Sequence, residues 1–467
     1  MGSFVIASSL LHSYLIDNLT KGRFMSEPKS NAPTSMDGFL KEHPDVGRID
    51  VMIVDMNGLL RGKWVPVEKA SKIESSEVRL PLSTSALDMW GHDVDGSGLG
   101  IVSGDKDGCL SPVLSSLSLV PWSKPGAAQI LAMMTDMDGA PSPYDPRQRL
   151  EEVVGRYRAA GLTPVVACEL EFFLLKDGVS PEAVSKGSHL YDMEQMALFE
   201  PVLEDIRAAC RVQGIVADVV TAESGLGQFE INFDHQADAL KAADWAVLFR
   251  RLVANVARSH GFKATFMAKP YGDDAGSGLH IHSSILSDGG QNLFAGAKGW
   301  DRLSHAIGGM LASMAELQLI FTPNLNSYRR LSREGFAPTQ ANWGYDHRAA
   351  SIRVPEKSGP GARFEHRVCG ADVNPYLAIA AVLGGALRGI ADQIDPGVSM
   401  DEDPESSYGD LTWDWQSAVH RFQRSEAAGD IFGTDFARIY ALLKQDEIRQ
   451  LNRRITDVEY ETYLGRV

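Results

Sequence analysis

Cysteine is scarce in this chain: Cys109, Cys168, Cys210 and Cys369 are the only four among 467 residues, widely spaced and with no C-x-x-C pair. That spacing excludes a disulfide framework and a cysteine-zinc cluster and points to a reducing, cytoplasmic compartment. Long apolar runs are missing as well. The stretch Phe4 to Leu11 is too short to cross a bilayer, no positive charge precedes it and no small-residue cleavage site follows, so neither a membrane span nor a targeting signal is expected. Positive charge is in deficit, with 45 Lys plus Arg against 61 Asp plus Glu and a formal net charge of −16. This disfavours general binding to nucleic acid or anionic membranes and suits a cationic partner, although acidity kept for solubility gives the same balance. No Walker A sequence and no G-x-G-x-x-G occurs, so a nucleotide would not be held by a P-loop or a dinucleotide turn. The Asp-x-Asp-Gly fragments at Asp93, Asp105 and Asp136 lack the remaining ligands of a calcium loop and read as turns.

What is present suffices for a large buried core, since 44% of the residues are hydrophobic. Met25 opens a polar run, and residues 1–35 read as a flexible N-terminal extension, with 1–24 set apart from the fold. Ile49 to Val54 alternates and leads into Asn57-Gly58, and Leu59 to Val67 follows, which predicts a hairpin. Prolines 121, 125, 141, 143 and 146 surround one short apolar strand, Ile130 to Met134, and place a boundary near Tyr144. The expected organisation is therefore a small β-rich domain over 36–143 and a large α+β domain over 144–467. Helical periodicity in the second domain predicts helices over Met193–Gln213, Ala237–His260, Leu303–Leu319 and Pro375–Ile394, and a mostly helical Asp410–Leu464.

Five strand-like segments of the second domain share one oddity when split by the two-residue strand period. Glu169 and Glu171 oppose Leu170, Phe172 and Leu174; Glu230 opposes Phe229 and Ile231; His280, His282 and Ser284 oppose Leu279 and Ile281. Arg353 opposes Ile352 and Val354, and Arg363, Glu365 and Arg367 oppose Phe364, His366 and Val368. A half-solvated sheet explains a single such strand. Five strands carrying almost nothing but carboxylates, imidazoles and guanidiniums fit a ligand-binding face better. Hard divalent ions take carboxylate oxygens, and Mn²⁺ also tolerates imidazole, so Glu169, Glu171, Glu223, Glu230, His280 and Glu365 would serve two ions of Mg²⁺ or Mn²⁺. Arg330, Arg348, Arg353, Arg363 and Arg367 would hold polyphosphate and carboxylate groups, whose geometry a guanidinium fork matches. Gly225-Leu-Gly and Gly276-Ser-Gly precede the Glu and His strands, where close backbone approach or a simple turn would need them.

Six segments then match one family in order. Glu169-Leu-Glu171-Phe-Phe-Leu, Glu223 through Gly227-Gln-Phe-Glu230-Ile, Ala264-Thr-Phe-Met-Ala-Lys-Pro270, Gly276-Ser-Gly-Leu-His280-Ile-His282, Asn326-Ser-Tyr-Arg-Arg330-Leu and Asn374-Pro-Tyr-Leu377 resemble the signatures of the glutamine synthetase superfamily. The resemblance implies an N-terminal β-grasp domain, a catalytic domain with a curved antiparallel sheet flanked by helices, and a dodecamer of two hexameric rings with active sites between subunits. It implies one ion on Glu171, Glu223 and Glu230 and another on Glu169, His280 and Glu365. Arg330 and Arg367 would grip the carboxylates of glutamate beside Gly276. Arg348, Arg353 and Arg363 would surround the phosphates of ATP, with His282 and Ser284 in the nucleotide motif. Asp55 matches a residue lent to the neighbouring subunit's amine pocket. The implied reaction phosphorylates the side-chain carboxylate of glutamate and displaces the phosphate by an amine.

Two departures bear on the substrate. Phe336 stands before Ala337-Pro338 where glutamine synthetases that use ammonium place a Glu; this removes an anion and supplies an aromatic wall for a bulkier alkylamine. Ala275 takes the place of an Asn in the glutamate loop and leaves another acid open as the acyl donor. Asn57-Gly-Leu-Leu-Arg61-Gly-Lys63, Trp343 to Arg348 and Glu365 to Tyr376 are similar to the γ-glutamylpolyamine synthetase branch, which implies polyamine catabolism with putrescine as the expected amine. The other readings are a ligase for a monoamine such as ethanolamine or isopropylamine, glutamine synthetase proper, and an inactive structural homologue.

Overall fold

The computed structural model describes residues 33, 35–124, 126–176, 189–332 and 337–467; the extension before residue 33 and Phe336 lie outside the described residues. Fourteen strands form two sheets among them. The first holds β1 (Arg48–Val54), β2 (Leu60–Pro66), β3 (Arg79–Pro81), β4 (Asp107–Pro112), β5 (Ser118–Leu119) and β6 (Ala127–Thr135), in the order β2-β1-β6-β4-β3 with β5 also on β6. The predicted hairpin is present as β1 and β2, paired Val54 to Leu60, and Gly58 lies in its turn at φ +79°. Any Cβ on Gly58 would be strained there and would stand 3.2 Å from Asn374 Cα.

β1 is buried on both faces, and its alternation explains why. Ile49, Val51 and Ile53 join Ala128, Ile130 and Met134 of β6 in a small core, while Met52 and Val54 point the other way into the main core of the molecule. Asp50 shares that second face and is matched by Arg48 at 3.1 Å and by Arg251.

The second sheet has the order β12-β13-β14-β11-β7-β9-β8, with β10 added to β7. Its strands are β7 (Leu162–Lys176), β8 (Ala217–Ala222), β9 (Gln228–Phe233), β10 (Phe262–Thr265), β11 (Leu279–Ser287), β12 (Trp343–Tyr345), β13 (Ile352–Glu356) and β14 (Arg363–His366). It is antiparallel except for one parallel pair, β12 with β13, a departure from the purely antiparallel expectation. Two strands are also displaced from their expected spans. β13 starts at Ile352 rather than Ala350, and β14 stops at His366, because the pairing of these strands shifts between Arg353 and Glu356 and the N–H of Arg367 turns to the carbonyl of Ser351.

The helices are α1 (Met36–Glu42), α2 (Ser71–Glu74), α3 (Pro146–Ala159), α4 (Met193–Val212), α5 (Ala239–Ser259), α6 (Gly299–Phe321), α7 (Pro375–Asp392), α8 (Trp415–Gln423), α9 (Glu426–Phe432), α10 (Thr434–Asn452) and α11 (Asp457–Tyr463). The four helices predicted from periodicity are α4 to α7, each within four residues of its expected ends. α3 starts where Asp145 accepts hydrogen bonds from the N–H groups of Arg147 and Gln148, with Pro146 at the first turn. The other oxygen of Asp145 accepts from Met134 N of β6 at 2.7 Å, tying the helix to the first sheet. The apolar face of the second sheet lies on these helices: Phe249 of α5 meets Phe172 at 5.9 Å and Phe233 at 5.2 Å between ring centroids. No helix among the described residues is long and apolar enough to cross a membrane.

Candidate active site

Because Leu170, Phe172, Phe229, Ile231, Ile281 and Phe364 all turn into the core, the residues between them must share the opposite face. Strand pairing then aligns them. His280 lies opposite Glu169, Glu171 opposite Glu230, His282 opposite Glu365, and Arg353 opposite Glu365, across β13-β14-β11-β7-β9. His282 Nε2 stands 3.0 Å from Glu169 Oε1, His280 Nδ1 3.2 Å from Glu169 Oε2, and His280 Nδ1 3.7 Å from Glu365 Oε1.

Two groups of donor atoms close to within 4.8 Å among the described residues: Glu169, Glu230 and His280, and Glu169, His282 and Glu365. His282 thus lies among the carboxylates. Glu171 and Glu223 join neither group. Glu171 is instead turned to Gly278 N at 2.8 Å and Gln228 Nε2 at 3.4 Å, and Glu223 sits just beyond the end of β8.

The electrostatics divide the carboxylates into two kinds. Burial opposes ionisation of Glu169, but His280 and His282 outweigh it and hold this carboxyl far below the usual range. Glu365 is held at about 2, with burial again overcome, by His280, His282 and Arg367. Nothing pulls Glu230 down comparably, and for Glu223 the Arg348 charge and a backbone hydrogen bond do not offset the burial. Burial and then the neighbouring carboxylates push Glu223 up to about 8 and Glu230 up to about 9. Both carry protons at neutral pH unless a cation replaces them. His282 Nε2 is also buried without a properly aligned hydrogen-bond partner. Carboxylate oxygens crowded beyond what the protein neutralises, with imidazole nitrogens among them, fit a hard divalent ion.

The arginines flank this face. Arg353 Nη1 donates to Glu365 Oε2 at 2.6 Å and also pairs with Asp346; Arg367 pairs with the other oxygen of Glu365 and donates to the carbonyl of Arg348 at 3.0 Å. Arg363 approaches His282 Nδ1 at 3.4 Å, Arg348 is exposed, and Ser284 lies two residues beyond His282, half-buried. Arg330 is buried and donates to the carbonyl of Val368 at 3.0 Å; burial and the Arg367 charge lower its pKa while Glu171 opposes them. The glycine loop packs tightly on it: a Cβ on Gly276 would stand 2.8 Å from Arg330 Cγ, and one on Gly278 2.6 Å from its Nη2.

Asp55 stands apart. It is fully buried at the end of β1, salt-bridged to Arg61 at 2.8 Å and accepting from Leu59 N at 2.9 Å, and burial raises it to about 6 against the pull of Arg61. Phe336 lies outside the described residues. Two residues of the face escaped the sequence reading: Asn232, which donates to Glu169 Oε1 at 3.0 Å, and Gln228, which bridges Glu171 and the carbonyl of Gly276. Both fall at the same strand parity as Glu230, so the alternation that found Glu230 contained them.

The sequence profile described as "Glutamine synthetase, catalytic domain" matches residues 143–463. The chain belongs to the glutamine synthetase family. It is 36% identical over 449 residues to the gamma-glutamylputrescine synthetase PuuA of Escherichia coli K12, covering 91% of this chain and 93% of that protein. It is 34% identical over 460 residues to the glutamate–isopropylamine ligase of a Pseudomonas species, covering 94% and 99%. A glutamine synthetase of Halobacterium salinarum is 32% identical over 433 residues. Among solved structures, an ADP complex of GmaS superposes with a TM-score of 0.81 at 27% identity, over 92% of this chain and 100% of that one.

Proposed function

We propose that the protein is an ATP-dependent ligase that joins the γ-carboxyl of glutamate to an alkylamine, with putrescine or another polyamine as the acceptor. The observation that carries this reading is the single sheet face on which Glu169, Glu230, His280, His282 and Glu365 converge between flanking arginines. Divalent cations held by these groups, with Glu171 and Glu223, would neutralise charge on the transferring phosphoryl group. Arg348, Arg353 and Arg363 orient the polyphosphate of ATP, and Arg330 and Arg367 orient glutamate through its carboxylates beside Gly276. A γ-carboxylate oxygen attacks the terminal phosphorus and ADP leaves. The amine nitrogen then attacks the resulting acyl carbon, phosphate leaves, and the surplus N–H proton passes to a carboxylate, for which Asp55 of an adjoining subunit in a dodecamer is the candidate. The near-neutral pKa of Asp55, about 6, suits a group that both attracts an ammonium and accepts its proton.

Support for an alkylamine over ammonium comes from Phe336 in place of a Glu and from the two amine-ligating relatives. The second reading, a monoamine acceptor, is favoured by the Pseudomonas relative. A panel of amines with ATP, Mg²⁺ and glutamate, read by phosphate release and by the mass of the conjugate, decides between them. Putrescine should outpace ammonium and isopropylamine; a clear preference for ammonium overturns the proposal.

A further inference from the structure

Lys444 and Glu447 on α10 are each 1% exposed and pair at 2.9 Å. A buried ion pair gives little net stability over apolar residues of the same volume, so holding the helix in place does not account for it. Its partners do. An ammonium group has three N–H donors. Lys444 directs them to Glu447, to Asn57 Oδ1 in the β1–β2 turn at 2.6 Å, and to Asn324 Oδ1 ahead of Arg330 at 3.4 Å. Glu447 answers with its second oxygen, accepting from Asn57 Nδ2 at 2.9 Å and from Met89 N at 3.0 Å. Both ends of the Asn57 amide are thereby fixed from one helix.

Each asparagine adjoins a residue of the proposed chemistry. Asn57 lies within the turn that Asp55 closes, where Gly58 N donates to the carbonyl of Asp55 and Leu59 N to its carboxylate, both at 2.9 Å. Asn324 caps the single turn Leu325–Arg329 that delivers Arg330, in a reciprocal cap with Ser327. Asn324 and Ser327 also donate to Asp372 Oδ2 at 2.8 and 2.7 Å, and two residues later Asn374 donates to the carbonyl of Asp55 at 2.9 Å. The two turns are thus joined by two routes, and one of them runs through the buried pair.

We propose that Lys444 and Glu447 are positioning residues that fix the Asp55 turn and the Arg330 segment relative to each other. This rests on the ligase reading for its kinetic consequence but not for its structural one. Under that reading the Asp55 turn serves a neighbouring subunit, so the pair ties the glutamate site of one chain to the amine site of the next.

Lys444→Met keeps the packing volume and removes every donor. It should raise KM for glutamate and for the amine together by about tenfold and lower kcat by up to about 100-fold, leaving KM for ATP within about threefold. Lys444→Arg should recover most of the loss. Hydrogen exchange on the folded variant should quicken in residues 55–61 and 324–330 together. Equal changes in all three KM values, a lowered melting temperature with unaltered kinetics, or faster exchange confined to α10 would each overturn the proposal. If the wild-type protein releases no phosphate with any amine, the ligase reading fails and the exchange experiment alone decides this one. If Lys444→Met does not fold, Glu447→Asp in the same exchange experiment replaces it.

Discussion

Glu223 and Glu230 are the residues whose ionisation the protein leaves unsolved. Their pKa values of about 8 and 9 lie far above the ordinary glutamate value, so between pH 5 and 9 the folded chain binds protons that the unfolded chain does not. In EDTA the stability they contribute is therefore complete at acidic pH and is lost as pH rises through 8 and 9. Glu169 and Glu365 act with the opposite sign, since their depressed values add stability that is lost only as pH falls below the ordinary glutamate range. A melting temperature followed in EDTA from pH 6 to 9 should fall, and Mg²⁺ or Mn²⁺ should restore more of it at pH 9 than at pH 6. Calorimetry in buffers of different ionisation enthalpy should show proton release on cation binding; a flat melting curve and no proton release would refute the assignment. Glu365→Gln leaves the buried Arg367 and the half-buried Arg353 without the anion they share, and should cost roughly 3 kcal/mol by denaturant unfolding. Phe336→Glu should move amine preference toward ammonium in the same assay panel.

At the scale of elements, period-two alternation is the strongest signal in the chain, because one face of each site strand must be apolar to lie on the helices. β9 appears at its expected ends, and β7 and β11 extend beyond theirs by one to three residues at each changed end. β13 and β14 moved, and their pairing has an irregular register, which alternation within one strand cannot reveal; the β8–β9 pairing is irregular too, yet β9 kept its ends. Arg367 is the consequence: it sits outside the strand yet still reaches Glu365, through its side chain rather than through strand parity. The entry to α3 offers a direct test of how one residue joins two elements. Asp145→Ala removes a helix cap and leaves Met134 N without its acceptor, and should cost about 1–3 kcal/mol by denaturant unfolding. Asp145→Asn keeps one accepting oxygen and sets an NH2 donor where the other oxygen accepted, so it should recover only part of the loss.

For the whole molecule, the proposed ring assembly predicts a solution mass near that of twelve chains of 50.9 kDa, checked by light scattering; a monomer would leave Asp55 without a pocket to serve. The order of motifs, the helices α4 to α7 and the acid-imidazole-guanidinium face were legible in the sequence, because periodicity and side-chain chemistry are local properties. Which carboxylates are neutralised and which keep protons was not, since that depends on distances across neighbouring strands: Glu169 has two imidazoles within 3.2 Å, while Glu230 meets mainly other carboxylates. The same holds for Lys444 and Glu447, two ordinary charges on a helical stretch until folding brings Asn57 and Asn324, hundreds of residues and more than a hundred residues away, onto one ammonium group. The sequence determined the family, the strand faces and the kinds of ligand they can take. Only the tertiary structure decided how those charges are shared, because pairing energies in a buried site are set by separation and desolvation, and neither is written along the chain.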